Sequence, residues 1–144
     1  MQLYGCINYL LTVTQHEVFQ VFSQGLTPFN ITPGQYGVLR YLWENSACTP
    51  KEISQVLRLE NSTVSGVLDR MEKKGLIKRE LDSNDRRSIR VVLTPEGASM
   101  RDGVLEIIDD LNKQVLDVLS PEQREIFIDS LRKIGEVELG SETD

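Results

Sequence analysis

The chain has a single histidine, His16, and only two cysteines, Cys6 and Cys48. A lone histidine cannot build a His-rich zinc centre, and two cysteines cannot build a multi-bridge disulfide scaffold. Almost no nucleophile–base pair can be drawn from such a set. The sequence has no Ser-His-Asp constellation and no phosphate-cradling glycine loop, so an enzyme is disfavoured and no metal or cofactor is expected. No apolar run approaches the roughly 18 residues of a membrane helix, so no membrane partner is expected. The N-terminal stretch MQLYGCINYLLTV has no basic residue ahead of its apolar part, unlike a secretory signal. With nothing pointing to export, a reducing cytoplasm is the expected compartment.

What remains is the composition of one globular domain: 144 residues, 40% hydrophobic and 26% charged. The net charge of −6 argues at first against nucleic acid, but its distribution reverses that. Between Arg70 and Arg90 stand eight basic and four acidic residues, a local +4 that leaves −10 for the rest. From Glu96 onward there are five basic and thirteen acidic residues. A basic block inside an acidic chain is an electrostatic footprint, although a solvated helix face has the same composition.

Four Ser/Thr-Pro pairs punctuate the chain: Thr32-Pro33, Thr49-Pro50, Thr94-Pro95 and Ser120-Pro121. Each reads as a helix start, with the hydroxyl capping free N–H groups and proline at the first helical position. Gln35, Glu52 and Gln123 follow three of the caps by three residues and complete capping boxes. The periodicity predicts helices over about 3–26, 33–45, 50–57 and 62–74, the fourth stopped by Gly75 in a left-handed conformation. In the third, Ile53, Val56 and Leu57 are expected inward. The first carries apolar residues on more than one face and so needs more than one partner. Strands are predicted at 76–81 and 88–93, joined by the polar loop Asp82–Arg87. A long helix after Pro95, reaching Leu119, and a last helix from Pro121 complete the chain.

Two short helices, a turn and a hairpin with a basic tip form a winged helix-turn-helix layout. Its second helix would present Asn61, Ser62, Thr63 and Ser65 to base edges in the major groove, opposite the inward Val64, Val67, Leu68 and Met71. Arg70, Lys73 and Lys74 would neighbour phosphates, and Arg86 and Arg87 would sit on the wing. Residues 31–100 closely resemble the MarR family of bacterial transcriptional regulators. Three blocks carry the resemblance: LRLENSTVSGVLDRMEKKGL at 57–76, the wing DSNDRR at 82–87, and VVLTPEG at 91–97.

The resemblance implies a mainly α fold with a small β-hairpin wing. Residues 31–95 would form the winged helix-turn-helix DNA-binding domain, and residues 1–30 and 96–144 a helical dimerisation region. It implies a homodimer on double-stranded DNA with a pseudo-palindromic operator, acting as a repressor released by a small aromatic or phenolic effector. The wing motif Asp-x-Arg maps onto Asp85-Arg86-Arg87, with Arg87 as the minor-groove contact and Asp85 its orienter. His16, Tyr36 and Arg40 are candidate effector partners. Arg58 and Glu60 depart from the family pattern, which has glycine and a small capping residue there, so Asn61 or Ser62 is left as the cap. Gly66 replaces a longer side chain. Two alternatives stand beside this reading: an oxidation-sensing regulator using Cys6, which lies near Tyr4 and Tyr9, and a dimeric adaptor that has kept the fold without binding DNA.

Overall fold

A computed structural model of the chain describes residues 2–85 and 87–138. Seven helices and three strands follow in the order α1 Ile7–Gly25, α2 Pro33–Asn45, β1 Ala47–Cys48, α3 Pro50–Leu57, α4 Asn61–Lys73, β2 Ile77–Leu81, β3 Ile89–Leu93, α5 Pro95–Ser99, α6 Arg101–Leu116 and α7 Pro121–Gly135. Short 3-10 turns stand at Leu3–Gly5 and Thr27–Phe29.

All four Ser/Thr-Pro pairs start helices, and the three capping boxes close in both directions. Thr32 Oγ1 accepts from the Gln35 amide and Gln35 Oε1 from the Thr32 amide, at 3.2 and 3.1 Å. Thr49 with Glu52 and Ser120 with Gln123 repeat the pattern. Thr94 uses both roles of its hydroxyl. Its Oγ1 accepts from the Gly97 amide at 3.1 Å and donates to the Gly75 carbonyl at 2.6 Å, so the cap of α5 also holds the end of α4. Gly75 is left-handed, at φ 75°, as the sequence indicated. Gly97 is required by space: an added Cβ would lie 2.2 Å from the Leu76 carbonyl oxygen.

The sheet is antiparallel in the order β1-β3-β2, with Ile77 opposite Leu93 and Leu81 opposite Ile89. β1 pairs Ala47 with Val92 and Cys48 with Val91. This third strand was not anticipated, because two residues carry no period. The core gathers Leu39 and Leu42 of α2, Ile53 of α3, Leu68 and Met71 of α4, and Val91 of β3. Leu26, Val104 and Ile108 extend it toward α1 and α6, which cross where a Cβ on Gly25 would lie 2.6 Å from Leu111.

Several boundaries differ from expectation. The first helix is broken, because Cys6 is extended and separates the 3-10 turn from α1 with no side-chain cap. The helix after Pro95 divides at Met100 and ends at Leu116. Its first turn is clamped at Gly97, which lies close against Leu76 and Leu93 and whose carbonyl accepts from Trp43 Nε1 of α2 at 3.0 Å, while α6 departs to pack on α1. Val56, expected inward, is 52% exposed. The buried face of α3 is turned toward Ser54 instead, whose hydroxyl donates to the Lys51 carbonyl and so tolerates burial. Neither α1 nor α7 has a buried residue, and Ile7, Phe19, Ile126, Phe127, Leu131 and Ile134 are exposed.

Candidate nucleic-acid interface

Helix α4 has two chemically distinct faces. Val64, Val67, Leu68 and Met71 are buried, whereas Asn61, Ser62, Thr63 and Ser65 are exposed. The helix begins at Asn61 behind Glu60, which occupies the cap position without a side-chain cap bond. Neither Asn61 nor Ser62 is the cap. Both already lie inside the helix, because the turn after α3 is only three residues long and Glu60 supplies the extended backbone.

The basic residues separate into three groups. Arg70 and Lys73 are exposed on α4. Arg70 lies back over Gly66, where an added Cβ would meet its Nη1 at an ordinary 3.5 Å, so space does not demand glycine there. Lys74, expected beside phosphates, is turned inward instead. Its Nζ donates to the Asn30 carbonyl at 2.6 Å and to Gln35 Oε1 at 3.0 Å, buttressing the start of α2. The cause is the end of the helix, because past Lys73 the chain curls toward the core at Gly75 and carries Lys74 with it.

Arg79 forms the third group, and the sequence reading missed it. Its guanidinium pairs with Asp69 and, at 3.2 Å, with Glu72, joining β2 to α4. The hydrogen bond to Asp69 and the nearby carboxylates hold Arg79 even more firmly protonated than usual. Asp69 and Glu72, which interleave in sequence with Arg70 and Lys73, are therefore spent on the wing. Strand parity carried the signal: Arg79 shares its face with the buried Ile77, and an inward arginine needs counter-charges.

The wing loop is organised by two aspartates. Asp82 Oδ1 accepts from the Asn84 amide at 2.9 Å, and Asp85 Oδ1 from the Arg87 amide at 3.0 Å. The Asp85 carbonyl also accepts from the Ser88 amide at 3.0 Å. Asp85 thus fixes the backbone that carries Arg87, whose side chain is exposed. Arg86 lies outside the described residues.

Of the effector candidates, Tyr36 and Arg40 are brought together and His16 is not. Burial raises the Tyr36 pKa, opposed by the positive charge of the nearby Arg40 guanidinium. Arg40 is itself paired with Glu44 at 2.7 Å, one turn along α2. His16 is exposed on α1, its Nε2 accepting from Gln20 Nε2 at 3.0 Å. Cys6 is half-buried; the rings of Tyr4 and Tyr9, which flank it in sequence, meet each other edge-on at 5.8 Å. Cys48 is buried on β1, and loss of solvent pushes its thiol up to about 11. Among the described residues no group of three His, Cys, Asp or Glu could hold a metal, and no helix is long and apolar enough to cross a membrane.

The MarR family model matches residues 31–89. The chain is 34% identical over 107 residues to the organic hydroperoxide resistance transcriptional regulator of Bacillus subtilis, across 74% of this chain and 73% of that protein. Its fold superposes on the S. aureus MepR–DNA complex with a TM-score of 0.82 at 30% identity, covering 92% of this chain and 98% of the other. It superposes on a mutant MarR from E. coli complexed with operator DNA with a TM-score of 0.83 at 25% identity, covering 89% and 92%.

Proposed function

The chain belongs to the MarR family of regulators, and from that premise we propose that it is a homodimeric, sequence-specific repressor of transcription that binds a pseudo-palindromic DNA operator. The observation that carries this is the exposed polar row of α4 beside the basic wing, the one strongly positive segment of an acidic chain. Asn61, Ser62, Thr63 and Ser65 read base edges, Arg87 enters the minor groove or meets its phosphates, and Arg70 and Lys73 neutralise phosphate. Arg86 is assigned to the same wing contact from sequence alone. Residues 31–95 are the DNA-binding domain. Residues 1–30 and 96–144 are the dimerisation region, because the exposed apolar faces of α1 and α7 need a second copy to cover them. This reading puts the protein in the cytoplasm, with the DNA. The solved DNA complexes of MepR and of MarR support the DNA partner.

Release is assigned to a small aromatic or phenolic acid that seats near Tyr36 between α2 and α6. Arg40 is already neutralised by Glu44, so a ligand carboxylate has to displace that partner. Displacement would shift α2 against α6 and alter the distance between the two α4 helices. Oxidation of Cys6 is the second reading, favoured by the likeness to a hydroperoxide resistance regulator and by a half-buried free thiol at the start of α1. Binding to random duplex at low salt separates these DNA readings from a DNA-independent adaptor. Peroxide and an aromatic acid such as salicylate, applied to wild type and Cys6→Ser, then separate the two switches. Salicylate release from both proteins supports the first, and peroxide release from wild type alone supports the second.

A further inference from the structure

Arg58 ends α3 in the left-handed region, at φ 52°, a conformation that is easy for glycine and strained for a residue with a Cβ. The strain accompanies a contact to the far end of the chain. Arg58 Nη2 donates to the Glu136 carbonyl at 3.0 Å, and Nη1 donates to the Gly135 carbonyl. These carbonyls close α7, where the helix is electronegative and a cation is welcome. Glu136 is itself left-handed and returns its amide to Arg132 and Lys133, which turns the two carbonyls outward. Among the described residues no other hydrogen bond or ion pair joins residues 31–95 to α7. Arg58 also stands only three residues before Asn61, the first residue of α4.

We propose that Arg58 is a positioning residue, a strut through which α7 fixes the placement of α4. A planar fork on two successive carbonyls sets direction as well as distance, which a single-point ammonium would not. The inference rests on the DNA-binding dimer proposed above. If α7 packs against its counterpart in a second copy, the strut makes the separation of the two α4 helices follow the geometry of that packing. The operator would then be selected for half-site spacing as well as for sequence.

The test compares full-length wild type with Arg58→Gly. Glycine is at ease at this φ, so the variant loses the fork and keeps the turn. Arg58→Asn, also tolerated in the left-handed region, repeats the test if the glycine variant unfolds. Hydrogen exchange of the free protein should show the amides of residues 132–138 exchanging at least tenfold faster in the variant. In vitro selection from random duplex should return one half-site spacing for wild type, and the same half-site at two or more spacings for the variant. Exchange within twofold of wild type would overturn the strut, whatever the DNA result. Faster exchange with a single retained spacing would overturn its coupling to α4. Wild type that enriches no duplex would sink the DNA reading and the purpose of the strut with it, while exchange would still report the contact itself.

Discussion

The guanidinium of Arg79 on β2 holds the carboxylate of Asp69 on α4, so the wing and the helix expected to read DNA are pinned to one another. Glu72, three residues further along α4, accepts from the same guanidinium at 3.2 Å. Both carboxylates remain about half exposed to solvent, which limits their worth to roughly 0.2–1 kcal/mol each. Arg79→Gln is therefore expected to cost about 1 kcal/mol and to lower the melting temperature by a few degrees. Melting curves at low and high salt check this. The deficit should shrink in high salt, and a deficit independent of salt would point to packing by the arginine stem instead.

Lys73 and Lys74 are neighbours in sequence with different expected phenotypes. Lys73 is free on the surface, whereas Lys74 donates to Asn30 and Gln35. Lys73→Ala should weaken specific and random duplex about equally and reduce the slope of log K against log salt by about one unit. Lys74→Ala should lower the melting temperature and leave that slope unchanged. Salt titrations of both variants on one duplex decide the point.

Much of this layout is legible in the sequence because its signals are local. A hydroxyl, a proline and a glutamine or glutamate within four residues suffice for a capping box, and all three boxes form where expected. The alternation of α4 likewise separates its buried from its exposed face. The contacts that were missed join distant segments: Lys74 to Asn30, Arg58 to Gly135, and Cys48 to Val91. None of these leaves a period or a spacing to read, since only the packed fold brings the partners together. Arg79 is intermediate, visible through strand parity but with its partners hidden among apparent neighbours of Arg70 and Lys73.

On the wing, Arg87→Ala is expected to weaken specific binding by roughly 1–3 kcal/mol. Asp85→Ala is expected to weaken it too, although deleting a negative charge beside DNA should by itself strengthen binding. The loss would come from the Arg87 amide, which no longer has the Asp85 carboxylate to hold it. Asp85→Asn keeps an accepting oxygen and should bind at least as tightly as wild type. Anisotropy titrations of the three variants check the order, and tighter binding by Asp85→Ala would show that the loop needs no such anchor.

The two thiols should behave differently at pH 8. Burial holds Cys48 neutral, with its pKa pushed up to about 11, so iodoacetamide should leave it unmodified in the folded protein. The sign for stability follows from the neutral form being favoured in the fold. The contribution is complete below the ordinary thiol range and is lost as pH rises from about 9 to 11. Cys6, half-buried, should be alkylated first. Cys6→Ser should keep DNA binding and ligand release. Mass spectrometry after brief alkylation reads the order, and equal labelling of both cysteines would contradict it.

Sedimentation of the protein with a duplex recovered from a random pool tests the central claim most directly. The expected particle is one dimer, twice 16.4 kDa, on a pseudo-palindrome whose half-sites lie about 10 base pairs apart. A folded monomer at micromolar concentration, or a pool from which no duplex is enriched, would contradict it.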